Sequence, residues 1–242
     1  MTQHPATRRV LDTQRHSQVF DPTEYDGLRF SVIGVGSLGS VIGSGLAKLG
    51  LTGVQLHDFD TVAEHNIANQ LFGHQDIGQP KVEALKRRIE VDTGISVTAF
   101  NDAVTEDTDL GEVVFICVDS MSARKRIFEG IKVNLTTELL IEMRMGADEG
   151  RIYTIDPRNP LHVRKWEENW YPDEEVGEAR AETDGCQMAT TVGSTAGLIA
   201  NYGLAQLINW HMWKKRVLEE FPPSEILLYT SPPRIFTSSF NQ

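Results

Sequence analysis

The sequence predicts an α/β fold, a mostly parallel sheet flanked by helices, and two observations carry that expectation. From Arg29 onward, short apolar runs rich in β-branched residues alternate with longer amphipathic runs, the pattern of parallel strands joined by crossover helices. The chain has 242 residues and is 40% hydrophobic, which supplies a sizeable core and sets it apart from disordered sequences. In chain order, strands are expected at residues 30–33, 53–57, 96–100, 113–117 and 139–143, with helices at 38–49, 81–92 and 121–132. A further strand at 151–156 stops at Pro157, because proline cannot donate to a ladder. The sequence then turns acidic and aromatic through Trp166, Glu167, Glu168, Trp170, Tyr171, Asp173, Glu174 and Glu175, which predicts an exposed, mobile crossover over about 157–188. An uncharged helix over 189–215 and a closing strand at 226–229 complete the order. Residues 1–28 read as an N-terminal segment and 29–242 as one domain.

Charge and cysteine usage exclude several function classes. The net charge is −11, which argues against phosphate-backbone binding and makes nucleic acid an unlikely partner. Two cysteines, Cys117 and Cys186, make no disulfide framework, and no CxxC pair begins a zinc site, so a reduced, cytoplasmic setting is expected. Arg8, Arg9, Asp12 and Arg15 are followed by no apolar stretch, so neither a secretory signal nor an anchor is read there. Residues 185–213 hold no Asp, Glu, Lys or Arg, and 191–210 approaches the length of a membrane span. Ser194, Thr195, Asn201, Gln206 and Asn209 interrupt it, and each amide in hydrocarbon would need an internal partner. A helix buried in the core or at a subunit contact is the expectation, with no membrane.

The sharpest local signal is Gly34-Val35-Gly36-Ser37-Leu38-Gly39, a GxGxxG between an apolar strand and a helical run. Glycines let the backbone turn tightly and approach a phosphate, while the helix N-terminus offers open N–H groups and a partial positive charge. Asp58 ends the next strand, where an acid binds ribose hydroxyls. Together these features predict a Rossmann-like, dinucleotide-type site, and taken alone they fit NAD or FAD.

Beyond Asp58 the pattern departs from a dehydrogenase. Asp58-Phe59-Asp60-Thr61-Val62 leads to His65-Asn66-Ile67-Ala68-Asn69-Gln70 and then Gly78-Gln79-Pro80-Lys81. Further on, Cys117-Val118-Asp119-Ser120 ends an apolar strand, with Arg124 after it. This ordered set resembles the adenylating domain shared by ubiquitin-activating enzymes and their bacterial relatives of the ThiF and MoeB type, from about residue 15 to 229. The resemblance implies ATP and Mg²⁺ as cofactors. It implies a nucleotide site of Gly34, Gly36, Ser37, Leu38, Gly39, Asp58, Asp60, Asn66, Asn69, Gln70 and Lys81. In that reading Asp58 holds the ribose, Asn66 bonds near sugar or phosphate, Lys81 meets the β- and γ-phosphates and Asp119 holds Mg²⁺. Residue by residue, simpler roles stay open: Asp119 as a helix N-cap, Lys81 as a solvated helix residue.

Two departures from the family pattern stand out. Where the family's S-N-x-x-R-Q segment has an arginine at the phosphates, this chain has Asn69, which donates a hydrogen bond but neutralises no charge. Arg15, in a stretch resembling the segment that family dimers lend to a neighbouring site, is a candidate replacement, and a surface arginine is the plainer reading. The second is the lack of the paired CxxC motifs, which implies no zinc. By position, Cys186 matches the thiol that some members use as acceptor, and packing at a helix start is the alternative. Cys117 reads as core. Arg144 faces either the substrate tail or a salt-bridge partner. The function implied is adenylation of a carboxyl terminus, on a ubiquitin-like or sulfur-carrier protein, by a homodimer. The alternatives are an NAD(P)-dependent oxidoreductase, which leaves Asn66, Gln70, Lys81 and Asp119 without a task, and a nucleotide-binding adaptor that has lost turnover, which Asn69 would fit.

Overall fold

The computed structural model of the chain describes residues 11–134, 136–173 and 193–240. Eight strands form one sheet in the order β3-β2-β1-β4-β5-β6-β7-β8. The strands are β1 (Phe30–Ile33), β2 (Val54–His57), β3 (Thr98–Phe100), β4 (Val113–Ile116), β5 (Leu139–Met145), β6 (Glu149–Ile155), β7 (Glu225–Thr230) and β8 (Pro233–Ser238). Helices α1 (Gly39–Lys48), α2 (Lys81–Thr93), α3 (Met121–Val133), α4 (Pro160–Glu168) and α5 (Gly193–Lys214) lie around it. Strands β1 to β5 pair in parallel, while β6, β7 and β8 add on antiparallel, β5–β6 and β7–β8 as hairpins and β6–β7 across the segment that holds α4 and α5. The α/β, mostly parallel architecture with a long last helix is the one the sequence pattern indicated.

At the centre of the sheet β1 and β4 are buried on both faces, and β4 reads as a continuous apolar run rather than an alternating one, while β3 at the edge stays largely exposed. Phe30, Val32, Leu56, Phe115 and Ile141 join Ile42, Leu46, Leu85, Ile89, Ile199 and Leu207 of α1, α2 and α5 in one core. Ile33, Val114, Ile116 and Leu140 face the other way and pack with Ile127, Phe128 and Ile131 of α3 and Trp166 of α4. The uncharged helix α5 lies against β5, β6 and α1, burying Ile199, Ala200, Gln206 and Trp210. Gln206 is satisfied there, donating to Thr154 Oγ1 and to the Pro223 carbonyl, both at 2.7 Å. No described helix is long and apolar enough to cross a membrane.

Two expectations are corrected. The crossover is not exposed throughout: residues 160–168 form α4, with Asn159 capping Leu161 N at 3.0 Å and Pro160 at the first position. Trp166 of α4 is 1% exposed and stacks on Phe128 with ring centroids 3.8 Å apart. The acidic composition had masked a single buried aromatic face. The remainder of the crossover, 174–188, lies outside the described residues. The strand at 225–230 does not close the sheet, because β8 pairs outside it. Pro232-Pro233 had hidden β8, yet proline is tolerated where an edge strand begins. Residues 11–28 also pack on the domain: Phe20 and Tyr25 stack at 5.2 Å, and the Tyr25 hydroxyl meets His211 Nδ1 at 2.6 Å.

Candidate active site

Strand β1 lies between β2 and β4, and Ile33 pairs with His57 on one side and Ile116 on the other. The chain runs outward from β1 through β2 to β3, then returns to β4 on the opposite side. Ligands of open α/β sheets bind in the crevice at such a switch point, beyond the carboxyl ends of the strands. Gly34, Asp58 and Cys117 each come directly after the last residue of one of these three strands, and so start at one level of that crevice.

The glycine loop is built by close contacts that only glycine permits. Gly34 has φ +82°, and a Cβ there would lie 3.0 Å from Cys117 C and Val118 N. A Cβ on Gly39 would lie 1.8 Å from the Gly34 carbonyl oxygen. The loop therefore folds flat against the end of β4, and its amides open α1 without a side-chain cap. Such open N–H groups are a ready anion site. Cys117 packs beneath the loop, and burial pushes its thiol up to about 12, so it is an inert packing residue, as the sequence indicated.

Asp58 stitches the loop to β2. Its Oδ2 accepts from Val35 N at 2.7 Å and its Oδ1 from Asp60 N at 2.8 Å. Burial pushes the Asp58 carboxyl up, against the pull of those amides and of the Lys81 charge. Each carboxylate oxygen keeps a second lone pair for a hydroxyl. Lys81, the first residue of α2, is 7% exposed and its Nζ pairs with Asp60 Oδ2 at 2.7 Å. It is not a solvated helix residue.

The segment 66–71 lies across the loop. Asn66 is buried, and its Oδ1 accepts from Ala63 N at 2.8 Å, shaping its own turn. Leu71 N donates to Ser40 Oγ of α1 at 3.3 Å. Gln70 Nε2 lies 3.8 Å from where a Gly36 Cβ would be, and its buried Oε1 has no hydrogen-bond partner among the described residues. Asn69 faces the first turn of α5, with Oδ1 3.5 Å from the Cβ position of Gly193. Ser37 is half-buried and Leu38 is buried at the α1 entry.

Asp119 sits in the turn from β4 to α3, exposed, and its carboxylate has no hydrogen-bond or ion-pair partner among the described residues. It is not the cap of α3. Ser120 is, accepting from Ala123 N at 3.2 Å. Behind the turn, buried Glu142 pairs with both Arg124 and Arg144, and Arg124 also donates to the Val118 carbonyl. Burial pushes the Glu142 carboxyl up, but the two guanidinium charges outweigh it and hold it below the usual range. Trp166 Nε1 donates to Glu142 Oε2 at 3.3 Å. Arg144 is thus a salt-bridged strand residue. It also donates to the Asn169 carbonyl at 2.9 Å and lies over the Tyr153 ring, 4.7 Å from its centroid.

Arg15 lies far from this loop in its own chain. Its neighbour His16 is 3.2 Å from the Leu49 carbonyl at the end of α1, and ten residues of helix separate that end from the glycine loop, about 15 Å. Exposed Arg15 has no partner among the described residues. Cys186 lies outside the described residues. Sequence reading missed Asp173, which holds the first turn of α3, because an aspartate in an acidic run gives no local signal.

The model of the ThiF family matches residues 16–225. The chain belongs to the ThiF family. Among its relatives, molybdopterin-synthase adenylyltransferase of Escherichia coli strain K12 is 32% identical over 148 residues, 55% of this chain and 57% of that protein. Ubiquitin-like modifier-activating enzyme 5 of Drosophila mojavensis is 26% identical over 231 residues, 84% of this chain and 56% of that one. The ThiF chain described here therefore spans rather more than half the length of these relatives. Among solved structures, E. coli MccB with ATP superposes with a TM-score of 0.71 at 14% identity, covering 97% of this chain and 72% of that one, which shows the shared fold.

Proposed function

We propose that this ThiF-family protein adenylates a carboxyl terminus with ATP, on a ubiquitin-like or sulfur-carrier protein, releasing pyrophosphate. The observation that carries the reading is the convergence of the glycine loop, Asp58, buried Lys81 and uncommitted Asp119 on one switch-point crevice. A dehydrogenase has no task for a buried lysine and a free carboxylate there. The relatives' names, an adenylyltransferase and a modifier-activating enzyme, point the same way.

In this reading the carboxylate oxygen of the carrier attacks the α-phosphorus, the α–β bridging bond breaks, and pyrophosphate leaves with its electron pair. No general base is needed, so the protein contributes position and electrostatics. The loop amides from Gly36 to Gly39 cradle phosphate, Asp58 receives ribose hydroxyls on its free lone pairs, and Lys81 supplies a point charge. Asn66 acts by shaping the turn that carries Asn69 and Gln70, and Gln70, whose Nε2 lies beside Gly36 and whose buried Oε1 has no partner among the described residues, offers that oxygen as an acceptor to bound nucleotide.

The residues fit Mg²⁺. The described residues contain no cluster of three or more carboxylate, histidine or cysteine ligands, and Mg²⁺ at nucleotide sites is held by one or two carboxylates, waters and the phosphates. Free, exposed Asp119 matches that demand. The ion would supply neutralisation of phosphate charge as pyrophosphate departs.

Asn69 removes one cation from the expected set. Arg15, remote in its own chain, reaches a glycine loop only from another copy, so the reading includes a homodimer. Cys186 is the candidate thiol acceptor for the adenylate. ATP with Mg²⁺ should raise the melting temperature by mass action and NAD or NADP should not. Stabilisation by NAD alone overturns the reading in favour of an oxidoreductase.

A further inference from the structure

The first turn of a helix leaves amides without intrahelical partners, and a nearby carboxylate is drawn to them. Asp119 immediately precedes the cap of α3, a helix of 13 residues, and would be the nearest carboxylate in sequence to take them. A different residue does so. Asp173, 52 positions after Met121, accepts from Met121 N at 2.5 Å through Oδ1 and from Ser122 N at 3.1 Å through Oδ2. The Ser120 hydroxyl donates to the same Oδ2 at 3.1 Å. Ala123 N is taken by Ser120 Oγ. The first-turn amides are thereby occupied, and Asp119 is left exposed and unbonded among the described residues.

The short segment that carries Asp173 is itself held in place. Trp170 Nε1 donates to the Met121 carbonyl at 2.9 Å, and Lys125 Nζ lies 4.2 Å from the Trp170 ring centroid. Asn169 receives Arg144, which shares Glu142 with Arg124, and Arg124 bonds the Val118 carbonyl next to Asp119. The Asp119 turn is clamped from the β4 side by Arg124 and from the α3 side by Asp173. The Asp173 contacts do not hold the metal ligand itself; they remove the competitor for it.

We infer that Asp173 is a positioning residue: by occupying the first-turn amides of α3, it keeps the Asp119 carboxylate out of the helix cap and available as a metal ligand. The inference rests on Asp119 binding Mg²⁺ in the proposed function. Without Asp173, the open amides of Met121 and Ser122 stand two and three residues after Asp119, the spacing at which an aspartate bonds its own following backbone, and such a bond costs the site its carboxylate. Partners bonded directly to a metal ligand change metal affinity about 10–100-fold when removed, and Asp173, which acts on the ligand's competitor rather than on the ligand, falls at the low end of that range.

The test is Mn²⁺ binding, followed by electron paramagnetic resonance, to the full chain saturated with a non-hydrolysable ATP analogue. Asp173→Ala should weaken Mn²⁺ about tenfold, while metal-free AMP affinity stays within about twofold. Asp173→Asn, which keeps one acceptor oxygen, should fall between the two and serves if the alanine variant does not fold. Native Mn²⁺ affinity in either folded variant, together with its loss in Asp119→Ala, overturns the positioning role alone. Mn²⁺ affinity that survives Asp119→Ala overturns the metal reading of Asp119, and the role of Asp173 with it.

Discussion

Lys81 is fastened to Asp60 twice, by its Nζ 2.7 Å from Asp60 Oδ2 and by its amide 2.9 Å from the Asp60 carbonyl. The double tie brings the start of α2 against the β2 exit loop and fixes a buried ammonium beside Asp58. A lysine stem is a flexible chain of four carbons, so this restraint turns a mobile cation into a placed one. Lys81→Ala should lower kcat/KM for ATP by about 10²–10³-fold, the usual loss for one preorganised transition-state donor. AMP, which lacks β- and γ-phosphates, should bind the variant within about threefold of the native protein. Equal loss of AMP and ATP binding in a folded variant would assign Lys81 to the structure of the loop instead.

The glycine loop gives a steric prediction. Gly39→Ala places a methyl 1.8 Å from the Gly34 carbonyl oxygen, a backbone atom that cannot yield without moving the loop. The variant should lose nucleotide-induced thermal stabilisation altogether, and a full ATP-dependent shift in Gly39→Ala would show that the loop does not contact nucleotide.

Legibility in the sequence followed the range of the interaction. Strand and helix order was readable because apolar runs bounded by glycine and an acid are local signals, and Gly34 and Asp58 follow the ends of β1 and β2 as the pattern expected, whereas Lys81 stood out only through the resemblance of the ordered set. Trp166 was misplaced because its partner Phe128 lies in another helix and its neighbours are acidic. The role of Asp173 was invisible for the same reason, since Met121 and Ser122 are some fifty positions away in sequence. For Arg144, the sequence posed two roles, and three-dimensional contact with Glu142 and Asn169 shows which of them the fold provides.

His57 sets a pH prediction. It is buried, stacked on Phe100 with centroids 4.6 Å apart, and its Nε2 has no partner among the described residues. Burial lowers its pKa from 6.5 to about 4. The unfolded chain therefore binds a proton that the folded chain refuses, so stability falls as pH drops from 6.5 toward 4 and levels off below. The contribution is about 2 kcal/mol between pH 7 and pH 5. Urea unfolding of His57→Leu should show a shallower loss across that interval than the native protein, and parallel pH profiles would mean that His57 is protonated equally in both states.

Arg15 allows a complementation test of the dimer. Mixing Arg15→Ala with Asp119→Ala protein, each inactive or nearly so alone, should restore part of the activity, because a mixed dimer holds one site with both residues. No recovery, with subunit exchange verified by mass, would confine Arg15 to its own chain, where it is remote from the loop.

The most direct measurement is exchange of radiolabelled pyrophosphate into ATP in the presence of carrier proteins or peptides ending in Gly-Gly. Label should enter ATP only with Mg²⁺ and a carrier bearing a free carboxyl terminus, and Asp119→Ala should abolish it. Tight ATP binding with no label incorporated for any such carrier would contradict adenylation and leave a nucleotide-binding adaptor.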